Sequence, residues 1–269
     1  MPATCTLPIS DRIYLTHSLL TGEGKTTAMA KGPFLCCEKT MYSGESAGFG
    51  LPVLKTPTLT FFPTIIALSQ ISSRVLEVNY RFNLILKWRF WGIAVPAFFN
   101  TLAEKLTNMY MRRPQCQHFF LKLRSGLFIL FRIKSDMLPI TSYGACRILY
   151  ETGDHKLTVR VESSALKGKD DLILLNEASG RSFTRFRING HIYDRENIPA
   201  WMTCPIDTVI ENPTDCIAFS ISAPAAEASS GLRFSCGREV GHALNWSGIA
   251  LTSGQQRFCY FVNFFDLKI

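Results

Sequence analysis

The stretch Leu76-Glu77-Val78-Asn79-Tyr80-Arg81-Phe82-Asn83-Leu84-Ile85-Leu86-Lys87-Trp88-Arg89-Phe90 decides the fold class. Its even-numbered residues are all apolar. Its odd-numbered residues are polar or charged, with Ile85 the one break. A period of two places alternate side chains on opposite faces of a strand, whereas a helix would spread the same apolar residues over all its sides. No turn residue interrupts the run, so it reads as one long strand of roughly 50 Å at about 3.3 Å per residue. Strands of that length suit a large sandwich or barrel better than a compact α/β domain.

Towards the C-terminus the chain reads as antiparallel β. Residues 146–151 and 156–162 flank a turn at Gly153-Asp154, and residues 182–188 lead through Asn189-Gly190 into residues 191–193. Asn-Gly is the strongest short hairpin signal, because both turn positions take positive φ. Further apolar or alternating runs follow at residues 172–175, 216–222, 232–236, 244–252 and 257–265. Residues 1–70 are rich in Thr, Gly, Ser and Pro and also read as short strands and turns. Between these blocks, Pro96 suits a first helical turn. Phe98, Leu102, Leu106 and Met109 recur at helical spacing, and Arg112, Arg113 and Pro114 close the run. The expected fold is therefore mostly β: a large antiparallel sandwich or barrel, one β-rich domain over residues 1–269, with one or two helices inserted around residues 97–131. Residues 71–135 form a basic strand-helix belt within it.

The nine cysteines include no Cys-x-x-Cys pair, which removes zinc-ribbon and thioredoxin-like readings. Cysteines among apolar neighbours, such as Cys146, Cys216 and Cys259, read as buried reduced thiols, which suits a cytoplasmic chain. The sequence shows no secretory leader pattern and no apolar run long enough for a spanning helix. No motif asks for a metal or a cofactor.

Charge is concentrated. Between Arg74 and Lys134 stand eleven basic residues and two acidic ones, Glu77 and Glu104; the total is +8, so the rest of the chain is close to neutral. Such a belt attracts anionic partners. Arg81, Lys87 and Arg89 share the polar face of the long strand, and Arg112 and Arg113 end the helical run. Aromatic residues interleave with them, the mixture used at membrane surfaces. Nucleic acid is disfavoured, because on the strand the aromatics point away from the charges rather than beside them.

Other constellations are weaker. Gly22-Glu23-Gly24-Lys25-Thr26-Thr27 resembles the end of a phosphate-binding loop, but Leu19 stands where a glycine is needed, and Gly32-Pro33 leaves little room for the helix. His191, Asp194 and Glu196 crowd the exit of the Asn-Gly hairpin. Glu239 and His242 have an i, i+3 spacing. Carboxylates beside a histidine can perform acid–base chemistry on a sugar, provided that they face each other across a cleft.

Three functions follow as expectations. The first is a non-catalytic, cytoplasmic binding protein for an anionic lipid surface or an anionic or amphipathic small ligand, using Arg81, Lys87, Arg89, Arg112 and Arg113. The second is a carbohydrate-active enzyme using His191, Asp194, Glu196, Glu239 and His242. The third is a structural or assembly subunit whose belt packs on a partner.

Overall fold

The computed structural model describes residues 4–18, 30–37, 40–42, 47–91, 93–94, 126, 130, 134–177, 182–195, 198, 202–205, 208–225, 231–240 and 245–267. Four strands, β1 (Thr4–Pro8), β2 (Ile13–Ser18), β3 (Phe34–Cys37) and β4 (Thr40–Tyr42), form a small antiparallel sheet in that order. The remaining strands belong to one large sheet. They are β5 (Phe49–Lys55), β6 (Thr60–Ser72), β7 (Val75–Phe90), β8 (Ile93–Ala94), β9 (Lys134–Gly153), β10 (Lys156–Ser163), β11 (Asp171–Glu177) and β12 (Arg185–Ile188). The series continues through β13 (His191–Asp194), β14 (Met202–Thr203), β15 (Val209–Asn212), β16 (Ile217–Ser222), β17 (Arg233–Val240), β18 (Asn245–Ser253) and β19 (Arg257–Asp266). The large sheet runs β13-β12-β15-β16-β19-β10-β9-β7-β6-β5-β11-β18-β17-β14, and β8 folds back on β7.

The mostly antiparallel β expectation is met, in its sandwich form. The end strands β13 and β14 do not pair with each other, so the sheet is not a closed barrel. Instead it bends over its own apolar face. Phe49 on β5 meets Phe219 on β16 edge-on at 5.4 Å between ring centres. The Tyr150 hydroxyl of β9 donates to the Phe49 carbonyl at 3.0 Å. Large side chains from both halves, among them Tyr80, Tyr150, Tyr260, Phe186 and Trp246, fill the space between. The small sheet closes one end of this core. Its Leu7, Leu15 and Leu35 join the same cluster, and the His155 N–H donates to the Ile9 carbonyl at 3.1 Å.

The long strand is present as β7, paired with the still longer β9. Leu76, Val78, Tyr80, Phe82 and Leu84 are all buried, as the alternation requires. The phase then fails. The register slips between Phe82 and Leu84, where β9 passes from Gly144 to Pro139. Pro139 has no N–H to give a ladder, and bulges relocate side chains to the other face. Beyond the slip Ile85 is buried as well, while Phe90 turns out to solvent. Gly144 is required here for a second reason: a Cβ on it would lie 2.6 Å from the Ala165 Cα.

Both foreseen hairpins form. The β9–β10 turn follows Gly153, and in the β12–β13 turn Asn189 and Gly190 have φ of 50° and 77°. Most of the helical insertion expected at residues 97–131 lies outside the described residues; Gly126 and Leu130, which are described, are both helical.

Candidate functional site

The outer face of β7, β9, β10 and β19 carries the residues that alternation turns away from the core. Register places Asn79 beside Arg147, Arg147 beside Glu162, and Glu162 beside Arg257, one polar row across four strands. Arg147 forms ion pairs with Glu77 and, at 3.5 Å, with Glu162. Arg257 reaches Glu162 at 3.6 Å, and the Asn79 amide donates to Glu77 at 2.9 Å. The Arg147 guanidinium, and after it the Asn79 amide, hold the Glu77 carboxyl below its ordinary range. The row floors an open groove of about 340 Å³, with Ser163, Ser164 and Gln256 on its rim. Two arginines against two glutamates leave the row electrically balanced. Its contribution is mainly to sheet cohesion, as cross-strand pairs are. Arg81, two residues from Asn79 on the same exposed face, makes no ion pair among the described residues and adds the local positive charge.

A different surface appears at the far end of β7. Arg89 pairs with Ala94 and Phe90 with Ile93, so the chain turns at Trp91. Trp91 has φ of 50°, the left-handed region that bulky residues seldom enter. Phe90, Trp91 and Ile93 are 41%, 65% and 74% exposed. Arg89 is exposed beside them, and Lys134 stands opposite Arg89 in the β7–β9 register. Aromatic and aliphatic side chains in water, next to the Arg89 cation, form an amphipathic tip.

The expected anion-binding set is thus divided. Arg81 lies with the polar row and Arg89 with the tip, roughly 26 Å apart by strand rise. The backbone of Lys87 faces Asp136. Arg112 and Arg113 lie outside the described residues.

The acidic candidates are divided too. His191 and Asp194 are exposed on the end strand β13. Three positions apart on one strand, they occupy opposite faces. Glu196 and His242 lie outside the described residues, and Glu239 is described only in backbone, paired with Trp246. The structure does bring the two segments near each other. Arg195, just after β13, donates from Nε to the Ser247 hydroxyl at 3.1 Å, and Ser247 pairs with Arg238. Gly22, Lys25 and their neighbours lie outside the described residues.

Sequence reasoning missed three features. Glu211, on the short strand β15, is buried and accepts from Arg187 at 2.8 and 2.7 Å; four residues without alternation gave no strand signal. His17 is buried on β2, and neither ring nitrogen meets a hydrogen-bond partner among the described residues. Cys204, which directly follows β14, and Cys236 on β17 approach each other, although the sequence separates them widely. Among the described cysteines Cys146 is buried as expected, whereas Cys216 and Cys259 are half-buried, and none is in a disulfide. The described residues hold no cluster of three or more metal-type side chains. No helix among them is long and apolar enough to cross a membrane.

No protein-family model matches the sequence, and no curated protein does.

Proposed function

We propose that this is a non-catalytic binding protein for an anionic or amphipathic ligand, which it meets at a lipid surface. The observation that carries the reading is the β7–β8 tip, where Phe90, Trp91 and Ile93 stand exposed beside Arg89. Tryptophan and phenylalanine favour the boundary between head groups and acyl chains, and a neighbouring cation adds attraction to anionic lipid. Each buried apolar side chain contributes on the order of 1.5–3 kcal/mol, enough for reversible attachment when charge assists. Backbone strain at Trp91 fits a residue held in place for contact rather than for folding.

The test is sedimentation with vesicles of phosphatidylserine and phosphatidylcholine, against phosphatidylcholine alone, at low and high salt. Binding is expected to the anionic vesicles only, to weaken at high salt, and to fall with Arg89→Glu or with Trp91→Ser. Absence of binding to either vesicle, or binding indifferent to both substitutions, refutes the reading.

An assembly subunit is the second reading. It is favoured by Ile192, 55% exposed on the end strand β13, whose outer edge has no partner strand among the described residues. Unpaired edges accept strands from other chains. That reading requires concentration-dependent self-association, visible by analytical ultracentrifugation without lipid.

A further inference from the structure

Met202 pairs with Cys236 and Thr203 with Ser235, and the Cys204 N–H donates to the Phe234 carbonyl at 3.2 Å. Extending that antiparallel register by one step sets Cys204 opposite Phe234. Cys204 and Cys236 are then diagonal neighbours on one face of the sheet. That face is the inner one: Cys204 is 5% exposed and Cys236 0%. The two thiols are within hydrogen-bond contact, and both are reduced. The adjacent pair Cys36 and Cys37 makes an instructive contrast. Neighbours along the strand β3 project to opposite faces and cannot be bridged without breaking the strand. Nothing in the proposed lipid contact uses Cys204 or Cys236.

We infer that Cys204 and Cys236 form a dithiol–disulfide site that closes with a low-molecular-weight disulfide such as glutathione disulfide. One thiolate attacks a glutathione sulfur, breaking the glutathione disulfide, releasing one glutathione thiolate and leaving a mixed disulfide. The second cysteine, as thiolate, attacks the protein sulfur of that mixed disulfide and expels the other glutathione. One S–S bond is broken and one is formed; the protein dithiol is oxidised by two electrons, and two glutathione thiols take up the two protons.

Two features shape the rate. The pair is buried, so attack needs a local opening. β14 supplies one, since it is a two-residue strand at the end of the sheet, paired among the described residues with β17 alone. The hydrogen bond with Cys204, and burial, push the Cys236 thiol up, which keeps it protonated and slows its part in the exchange. Exchange is therefore slow near neutrality and faster as pH rises.

The bridge would reach further than its two residues. Between Cys204 and Cys236 the chain runs through β15 and β16, which pair with β12 and β19 in the other half of the large sheet. Closing the disulfide ties a loop that passes through both layers, and cross-linking a long loop raises stability.

The test uses the full chain, wild type and the single variants Cys204→Ser, Cys236→Ser and Cys216→Ser. Each is incubated in glutathione buffers of graded redox poise, quenched by alkylation and analysed by intact mass and peptide mapping. In the folded wild type a Cys204–Cys236 linked peptide is expected. It should disappear with dithiothreitol, persist in Cys216→Ser, and be accompanied by a higher melting temperature. Mapping of the wild type decides the matter even if a variant fails to fold. Glutathione adducts without closure, linkage only in denaturant, or linkage only between other cysteines overturns the inference.

Discussion

The Tyr260 hydroxyl donates to the Asn176 side-chain carbonyl at 2.9 Å, joining β19 to β11 through the middle of the core. Both residues are fully buried, and burial pushes the Tyr260 phenol above its ordinary range. Neither water nor another side chain replaces the phenol easily at such a site. Tyr260→Phe should leave the Asn176 oxygen without a donor, costing about 1–3 kcal/mol. Urea unfolding checks this: the midpoint should fall with the slope unchanged. A loss within error would mean that the core relaxes around the missing hydroxyl.

Glu177 ends β11 by accepting hydrogen bonds from the backbone of Ala47 at 2.8 Å and of Gly48 at 2.9 Å. The carboxylate holds the chain entering β5 where Gly48 has φ of 74°, and a Cβ there would lie 2.5 Å from the Gly32 carbonyl. Glu177→Gln keeps the shape and loses the charge assistance, so a cost of about 1–3 kcal/mol is expected. Gly48→Ala adds backbone strain and a clash, and should destabilise at least as much. Thermal melting of both variants, read against wild type, is the measurement.

His17 makes stability depend on pH. Burial lowers its pKa from the ordinary 6.5 to about 4. The folded state thus favours neutral imidazole, and the unfolded chain binds the proton more readily. The stabilisation is complete above pH 6.5 and is lost as pH falls from 6.5 through 4, by roughly 3 kcal/mol in all. His17→Leu should remove that part of the acid sensitivity and end the cost of two ring nitrogens that find no partner among the described residues. Denaturation midpoints at several pH values between 7 and 4 would show it as a flatter profile for the variant. Parallel profiles would mean that His17 gains water or a partner.

Much of the fold was readable because burial repeats along the chain. In β7, β10 and β19 one face is core and the other solvent, so alternation in residues 76–84, 156–162 and 257–264 reports the face directly. Asn189-Gly190 could be read because its backbone needs positive φ. The slip after Phe82 could not, since it depends on where Pro139 and Gly144 of β9 fall opposite β7. The candidate site suffered from the same non-local cause. Alternation assigned Phe90 to the core, whereas it is 41% exposed at the β7–β8 tip. His191 and Asp194 looked like one cluster in sequence, but the strand period separates them. Cys204 and Cys236 meet only because β14 returns to β17.

Trp91 offers a separation of folding from binding. Its left-handed backbone at the β7–β8 turn is costly for a bulky aromatic residue and natural for asparagine, and Gly92 follows it in sequence. Trp91→Asn therefore writes Asn-Gly, the dipeptide that two-residue hairpins prefer. The variant should be as stable as wild type or more so, by up to about 1 kcal/mol. Its affinity for anionic vesicles should nevertheless fall several-fold, because the most interfacial side chain of the tip is gone. Paired urea and vesicle titrations test both halves. A stable variant with weakened binding identifies Trp91 as a residue kept at the expense of its own turn. A destabilised variant would show that the indole packs on neighbouring chain, and undiminished binding would take the tip out of the lipid contact.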